Sequence, residues 1–569
     1  EEHARPERAR DHAHHSREEA RGGQVMKTMR ALLLASAALL AACGGAGNGS
    51  TNVGTKPVAT NTDPPEPPPL NIDLGPKPDV GQAKPFAAPT VETFELKNGL
   101  KVWLVSRRGL PLVSMSLVVL GGSSVDPLDK PGLMHITTDM LDEGAGKRSA
   151  IEISGAMSDL GASLGIHTGV DATTVSLSVL KKNVGAAFSI FADIVARPQF
   201  DEREFKRVSD LWRNDLKARA DEPTRVAYLV NSAVLYGPET PYGHPAEGLV
   251  GSAEKIDVST VKKFYAENFR PDRSVLVAAG DITREELTKM IETHLGTWKS
   301  ATPAPKKPTK EKPHEPKSAA ERPKIVLVDR PKAPQSVITI VRDGVMASEP
   351  DAIRLDLVNT PLGGSFTSRL NQNLREEKHW AYGAKSLFLG TRGKGAFWAM
   401  ASVETPATGP ALKEALRELE KMAQEGPTAE ELDKAKAQDR SDLLTTFETI
   451  SGTADRLAGL ARLGLPPTYD FDASLSRQSQ KLADVAALAK AHVDPAVATI
   501  VVVGPKEAVW KDLLALGRGE PVLWDAEGKP VAAAAPKEEP KPDAKAADKP
   551  KADAKAADKP KAENKPKGK

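Results

Sequence analysis

Cysteine is almost absent from this chain: Cys43 is the only thiol among 569 residues. A single thiol excludes disulfide frameworks, thiolate zinc sites and iron–sulfur clusters, so any metal site must use His, Asp or Glu. Aromatic residues make up only 5% of the chain, and 78 Lys and Arg against 76 Asp and Glu leave a formal charge of +2. Because a nearly neutral chain has no general excess of positive charge for a phosphate backbone, we expect no nucleic-acid partner.

Long parts of the chain have too few apolar residues to form a core. It holds 45 prolines and 44 glycines, and only 40% of its residues are hydrophobic. The last residues, from Ala532 on, contain no large apolar side chain and include a ten-residue repeat rich in Lys, Ala and Pro. Such composition favours disorder or an extended tether. The predicted segments are a flexible tether (43–88), a first domain (89–300), a linker (301–323), a second domain (324–518) and a disordered tail (519–569).

The N-terminal residues have the pattern of a bacterial lipoprotein signal. Residues 1–25 are charged and rich in histidine, and we interpret them as a misassigned start, with a metal-binding tract as the alternative. Residues 26–42 combine a short basic region with an apolar run too short to span a bilayer, which indicates a signal peptide. The residues that end at Cys43 resemble a lipobox, so we expect Cys43 to be lipidated; the alternative is a buried free cysteine. Because Gly44 follows instead of aspartate, we expect an anchor in the outer membrane of the bacterial cell envelope, facing the periplasm.

The two predicted domains share one order of secondary structure. Each opens with short β-branched strands and closes on another, with a mostly helical block between them. The predicted strands cover residues 91–96, 101–105, 113–120 and 274–279 in the first domain and 324–328, 336–341 and 498–503 in the second. The second domain therefore looks like a diverged copy of the first. This grouping indicates the α+β class, with two homologous domains that each consist of a mostly antiparallel sheet covered by helices on one face.

The segment around His135 has the most informative local pattern. A proline in the first turn predicts a helix that begins after Asp129 as its N-cap, and a glycine predicts its end at Gly144. His135, Thr138 and Asp139 stand at i, i+3 and i+4 and so share one face of this helix. A histidine and an aspartate at this spacing fit either a structural hydrogen bond or a pair of metal ligands.

Short motifs recur in a fixed order over residues 90–515. They are Asn98-Gly99-Leu100, Gly132-Leu133 before His135, Leu160-Gly161-Ala162, Pro241-Tyr242-Gly243-His244-Pro245, Asn268-Phe269-Arg270-Pro271, and Leu374-Arg375-Glu376 with Tyr382-Gly383. In this order and spacing they resemble the pitrilysin and insulinase family of zinc peptidases, in its bacterial two-chain branch related to mitochondrial processing peptidase. The resemblance implies two homologous domains and a role in peptide cleavage.

The resemblance places His135 at the start of the inverted zinc motif H-x-x-E-H. In active members of the family, two histidines hold Zn²⁺ and the glutamate takes a proton from the attacking water. Here His135 keeps the first ligand position, Thr138 replaces the glutamate, and Asp139 replaces the second histidine. The third ligand, normally a glutamate on a later helix, falls on Asp215. The motif is therefore degenerate at three of its four functional positions.

This degeneracy predicts a chain that is not itself a peptidase. A threonine hydroxyl cannot act as a base near neutral pH, and loss of the general base alone typically lowers the rate by ~10²- to 10⁴-fold. We therefore assign no catalytic residue and no resident cofactor. A His135, Asp139 and Asp215 site could hold zinc only weakly, and otherwise the zinc is supplied by a partner chain.

In the second domain the resemblance points to a substrate motif. Arg375 and Tyr382 occupy positions that, in the two-chain branch, reach the substrate carbonyl near the zinc of the partner. Both side chains donate hydrogen bonds well, which suits an oxygen that gains negative charge during cleavage. The alternative is that Arg375 pairs with a helix neighbour and Tyr382 is a half-buried strand residue.

Three functions remain open at this point. The first is a lipid-anchored, non-catalytic subunit that pairs with a zinc-bearing homologous subunit and binds an unfolded peptide substrate. The second is a peptidase that is active alone with an unusual His/Asp/Asp site. The third is a family fold kept as a scaffold in an envelope complex. An intact H-x-x-E-H homologue encoded beside this gene would favour the first.

Overall fold

The structure is a computed structural model that describes residues 75, 86–300 and 314–531. The predicted signal peptide, Cys43, nearly all of the tether and the tail beyond residue 531 lie outside the described residues. The described residues from 86 on belong to one compact unit. None of the helices in the described part of the chain is both long and apolar enough to cross a membrane.

The first half consists of a six-stranded sheet and eight helices. Its strands are β1 (Glu92–Glu95), β2 (Lys101–Ser106), β3 (Leu112–Leu120), β4 (Ser163–Thr168), β5 (Ala172–Leu180) and β6 (Ser274–Gly280). Its helices are α1 (Leu133–Asp139), α2 (Ala150–Asp159), α3 (Val184–Ala196), α4 (Glu202–Arg219), α5 (Pro223–Tyr236), α6 (Val250–Ala253), α7 (Val258–Asn268) and α8 (Arg284–Leu295). The strand order is β1-β2-β6-β3-β5-β4, and only the pair of β2 and β6 is parallel.

The second half repeats this plan. Its strands are β7 (Ile325–Asp329), β8 (Gln335–Asp343), β9 (Ala381–Leu389), β10 (Ala396–Glu404), β11 (Thr499–Gly504) and β12 (Val522–Trp524). Its helices are α9 (Asp356–Asn359), α10 (Arg369–Asn371), α11 (Thr408–Glu425), α12 (Ala429–Glu448), α13 (Ile450–Leu463), α14 (Tyr469–Ser479), α15 (Leu482–Val493) and α16 (Lys506–Leu514). The order is β12-β7-β11-β8-β10-β9, and β7 pairs in parallel with both β11 and β12. Two duplicated, mostly antiparallel α+β halves are thereby confirmed.

Each sheet is also covered on its second face, by a helix from the other half. Helix α5 of the first half packs its apolar side chains on β7, β8, β10 and β11 of the second sheet. Helix α13 of the second half packs in the same way on β2, β3 and β6 of the first sheet. Strands buried on both faces read as continuous apolar runs, as in Val326 to Val328 and Ile500 to Val503. The predicted single helical layer is therefore incomplete.

Four strands replace parts of the predicted helical blocks. These are β4, β5, β9 and β10, and their residues include many Ala, Ser and Leu. Local propensity is weak for such residues, whereas pairing of β5 with β3 and of β10 with β8, across more than 50 residues of sequence, supplies a full ladder of hydrogen bonds. Strands β4 and β9 then pair with β5 and β10 as neighbouring strands in the sequence.

The predicted boundary at residue 519 is wrong. Strand β12 extends the second sheet, and Trp524 is 7% exposed. The turn after β12 contacts the first half, where the buried Arg219 donates a 3.2 Å hydrogen bond to Glu527. The three apolar residues of β12 favour sheet addition, although they follow a glycine-rich turn that resembles the start of a tail. The second domain therefore reaches at least Val531.

The second part of the predicted linker is also packed on the body. The ring of His314 lies 4.5 Å from that of Tyr242, and the amide of Lys317 donates a 2.7 Å hydrogen bond to the carbonyl of Leu235. Arg322 is buried and donates to Asp343. Residues 314–323 thus belong to the folded unit, because they satisfy polar groups at the seam between the halves.

Candidate functional site

The helix that carries His135 begins in a tight backbone crossing. Gly132 has a φ of 94°, and a Cβ there would lie 2.7 Å from the carbonyl oxygen of Glu247 and 2.8 Å from the ring of Trp212. Only glycine fits this combination of conformation and space. Helix α1 therefore starts at Leu133, and it ends at Asp139 instead of continuing to Gly144.

Asp126, not Asp129, caps this helix. Its buried carboxylate accepts 2.7 Å hydrogen bonds from the amides of Gly132 and Met134. The predicted cap, Asp129, is exposed. Sequence spacing favoured Asp129 because it lies just before the proline, whereas the loop brings the earlier aspartate back onto the free amides.

We expect Asp126→Ala to lower the free energy of unfolding by about 2–3 kcal/mol, because two buried amides would lose their acceptor. Asp129→Ala is the matched control and should change it by less than about 0.5 kcal/mol. Chemical denaturation followed by circular dichroism measures both values. Equal destabilisation by the two variants would contradict the assignment of the cap.

The same carboxylate should make stability depend on pH. Burial raises the pKa of Asp126 to about 7 from 3.8, against the opposing effect of the amide hydrogen bonds. Between these two values the folded state binds more protons than the unfolded state, so the free energy of unfolding should fall as the pH rises from about 4 to 7. Asp126→Asn should remove this slope. An unchanged slope in urea titrations of the variant would contradict the shift.

The predicted ligands lie around one cleft of about 460 Å³ in the first half. Helix α1 contributes His135 and Asp139, and one face of α4 contributes residues at helical spacing that include Trp212 and Asp215. The side chains of Leu164 and Ile166 on the edge strand β4 form an apolar wall. The structure thus brings all three predicted metal ligands to one cleft.

Thr138, at the position of the general base, is turned away from solvent. It is 1% exposed, and its hydroxyl donates a 2.7 Å hydrogen bond to the carbonyl of His135. The same oxygen lies 2.7 Å from the hydroxyl of Thr168 on β4. Because its only proton is committed to the helix backbone, Thr138 ties α1 to β4 and offers nothing to a water in the cleft.

His135 and Asp139 form a pair within the helix. The Nε2 atom of His135 lies 3.3 Å from Oδ2 of Asp139, and the imidazole lies 6.2 Å from the ring of Trp212. Burial raises the pKa of Asp139, partly offset by His135, and Glu143 raises it further. This close contact fits both interpretations left open by the sequence, a structural pair and a pair of metal ligands.

Asp215 is held by a residue that sequence reasoning missed. Arg225 donates to both of its carboxylate oxygens, at 2.7 and 3.1 Å, from the first turn of α5. This hydrogen bonding is the main reason why the pKa of Asp215 lies below its usual value. No periodic signal in the sequence marks this pair, because Asp215 and Arg225 lie ten residues apart on different helices.

The residues present do not fit a tightly bound zinc ion. Among the described residues, no three His, Cys, Asp or Glu side chains are grouped so as to hold a metal. Of the three predicted ligands, one imidazole and one short carboxylate remain available, while the third is occupied by a bidentate arginine. A weak His135, Asp139 and Asp215 site would require Asp215 to leave Arg225.

The predicted donors of the second half lie on its exposed edge. Tyr382 is on the edge strand β9 and is 89% exposed. Arg375 packs its guanidinium 4.5 Å above the ring of Phe366, which is itself 65% exposed, and lies 3.5 Å from Glu376. Tyr382 is therefore not half-buried, and Arg375 has both a helix neighbour and an aromatic support that the sequence did not reveal.

The segment that positions Arg375 is not a regular α-helix. Residues Thr360–Gly364 and Gln372–Glu377 form two π-helical turns with the short α10 between them. Gly363 approaches β9 so closely that a Cβ would lie 2.3 Å from the amide of Ser386. Such wide turns are frequent at functional sites, and here the second turn carries Arg375.

The fold and cleft define a duplicated peptidase-like protein whose zinc motif is incomplete. Residues 101–237 match the insulinase family (peptidase family M16), and residues 255–438 match the domain described as the peptidase M16 inactive domain. These ranges cover more than half of the 569 residues. The chain belongs to the insulinase family, as an inactive-type, non-catalytic member.

Some relatives of this chain are named as zinc proteases and another as a non-peptidase homolog. A Bacillus subtilis protein named as an uncharacterized zinc protease is 23% identical over 372 residues, which are 64% of this chain and 87% of that protein. A Helicobacter pylori protein named as a non-peptidase homolog is 23% identical over 403 residues, 70% of this chain and 90% of its own length. The crystal structure of a peptidase M16 inactive domain from Pseudomonas fluorescens is 26% identical, covers 73% of this chain and 98% of its own, and superposes with a TM-score of 0.67.

Proposed function

We propose that this chain is the non-catalytic, substrate-binding subunit of a heterodimeric zinc metallopeptidase that acts on peptides in the cell envelope. The observation that carries the proposal is the state of Thr138, which stands where the general base belongs and is buried and hydrogen-bonded. The clamp of Arg225 on Asp215 supports it further. A zinc-bearing homologous subunit would supply the metal and the base.

The second half provides the groups for a substrate-binding role. Tyr382 is an exposed donor on an edge strand, Arg375 is a half-buried donor, and neither lines the His135 cleft of its own chain. Donors in these positions could hydrogen-bond the carbonyl oxygen of a peptide substrate that is bound at the site of another chain. The scaffold alternative would require no such donors.

Mixing experiments test the proposal directly. The purified chain alone should not cleave an unfolded peptide, with or without added zinc. Adding a homologue with an intact H-x-x-E-H motif should give a complex by size-exclusion chromatography and chelator-sensitive cleavage above that of the homologue alone. A complex without any gain in cleavage would leave the scaffold function standing.

We also propose that the chain is held at the membrane through a lipid on Cys43, because the residues before it have the lipobox pattern. Cys43→Ser should release the protein into the soluble envelope fraction of the native host, as measured by fractionation and immunoblotting. A matched Ser50→Ala change in the tether should leave it membrane-bound. Wild-type protein that is soluble and unmodified by mass spectrometry would contradict the anchor.

A further inference from the structure

A second cavity, of about 470 Å³, lies within the second half and is separate from the His135 cleft. Its lining residues come from the end of the β9–β10 hairpin and from helices α9, α12, α13 and α14. The volume is within the range of roughly 300–1,000 Å³ that is typical of small-molecule sites. It includes neither Arg375 nor Tyr382.

One part of the wall of this cavity is apolar. Leu355 on α9, Phe388 on β9, Leu443 on α12 and Leu465 after α13 line it. The aromatic ring of Tyr469 completes this lining. A ligand of the cavity therefore needs an apolar body that can replace water against these side chains.

Both arginines at the cavity are already engaged in ion pairs. The Nε atom of Arg477 lies 2.6 Å from Asp439, and its Nη1 donates to the carbonyl of Ile353 at 3.0 Å. Arg456 donates to both carboxylate oxygens of Asp470, from Nη2 and, at 2.7 Å, from Nε. Since these guanidiniums are paired, they do not favour an anion as the ligand.

Asp356, by contrast, has no close partner among the described residues. No hydrogen bond reaches its carboxylate there, and the nearest cation is Nη1 of Arg477 at 3.9 Å. About two thirds of its side-chain surface, 67%, is accessible to solvent, and the residue lines the cavity. Desolvation by the surrounding residues raises its pKa, while Arg477 opposes that rise. A carboxylate in this position gains from a cation that enters the cavity.

The net charge of the residues at the cavity is also negative. Asp442 also lines it, and its carboxylate accepts a 2.7 Å hydrogen bond from the neutral amide of Gln438. Asp439 pairs with Arg477, and Asp470, outside the lining, pairs with Arg456, so the carboxylates of Asp356 and Asp442 leave two negative charges. Among the described residues no group of three such side chains is arranged for a metal ion, so the cation that fits is organic.

We propose that this cavity binds a small organic cation, an amine or guanidinium carried on an apolar or aromatic body, with its charged head against Asp356 and its body against Phe388 and Leu443. The inference does not depend on the proposed function, because the cavity shares no residue with the cleft or with the substrate donors.

Isothermal titration calorimetry on the intact purified chain tests the ligand class. The probes are tyramine, agmatine and spermidine, with N-acetyltyramine and 4-hydroxyphenylacetate as the neutral and anionic counterparts of tyramine. At least one cation should bind saturably at one site per chain, and the two uncharged or anionic counterparts should bind at least about tenfold more weakly than tyramine. Absence of saturable binding by all three cations, or equal affinity for N-acetyltyramine, would overturn the proposal.

Variants test the position of the site. Asp356→Asn keeps the shape of the side chain and should weaken binding of the cation by about tenfold or more. Leu443→Trp should block binding by filling the cavity while it leaves every charge in place. Asp472→Asn, on the exposed face of α14, is the matched control and should bind like the wild type. Thermal unfolding of each variant confirms folding, and unchanged affinity in Asp356→Asn would place the ligand elsewhere.

Discussion

Arg375→Ala should lower peptide turnover by the assembled pair ~10²- to 10³-fold, the usual effect of removing one donor to a developing oxyanion. The guanidinium lies on an exposed edge of the second half and packs on Phe366, so its loss should not disturb the core. The loss should appear in kcat and in kcat/KM together, because the contact forms with the charge that develops during cleavage. Steady-state kinetics on a quenched peptide, with size-exclusion chromatography of the complex, measures this.

Tyr382→Phe should have a comparable effect, since it removes one hydroxyl from an almost fully exposed ring. Lys385→Ala is the matched control, because it removes an exposed cation from the same strand β9. The control should retain turnover within about twofold. Equal turnover by the Arg375→Ala pair and the wild-type pair would rule out the substrate-binding role.

The support of Arg375 by Phe366 gives a graded version of the same test. Phe366→Ala should reduce turnover by less than Arg375→Ala, because it removes only a stacking contact worth about 0.5–1 kcal/mol at an exposed site. Phe366→Tyr keeps the ring and should restore turnover. Failure of the tyrosine variant to do so would show that the ring does not position the guanidinium.

The second prediction with a large expected effect concerns the affinity of the chain for zinc. The wild-type chain should be purified without stoichiometric zinc, because one imidazole and one carboxylate do not form a complete site. The combined change Asp139→His, Asp215→Glu and Arg225→Ala supplies two imidazoles and a freed, longer carboxylate. It should raise zinc affinity by at least ~10²-fold, measured by competition with a chromogenic chelator.

This variant should still not cleave peptides, because Thr138 remains in the place of the general base. Thr138→Glu alone should restore neither metal nor activity, and it should lower stability because the residue is buried against Thr168. Arg225→Ala alone is the control for the lost ion pair with Asp215. One tightly held zinc in the wild type, together with cleavage that Asp215→Ala abolishes, would establish a peptidase that is active alone.

Local sequence signals predicted the strands whose two faces are both buried. Residues 113–120 are a mostly apolar run and residues 498–503 a mostly β-branched one, and both appear at nearly the predicted bounds. Strand β10 was missed because Ala, Ser and Met, which have no strong local preference for a strand, make up five of its nine residues, whereas β5 was missed although it contains four β-branched residues. Their conformation depends on partners more than 50 residues away, which one sequence does not reveal.

The candidate site was predictable to a similar extent. Helical spacing placed His135 and Asp139 on one face, and the structure brings them within 3.3 Å of each other. The roles of Asp126 and Arg225 were not predictable, because each depends on a loop that folds back on an earlier element. Pairing of charges across a turn leaves no periodic signal in the sequence.

The exchange of helices α5 and α13 between the two sheets determines where the protein can open. A hinge motion that separated the two halves would expose the apolar faces of both helices and both sheets to water at once. The chain should therefore move as a single rigid body. In the proposed complex, any gap through which an unfolded peptide enters would therefore form between the two chains, so the rate of peptide entry should follow the lifetime of the complex and not an internal motion of either half.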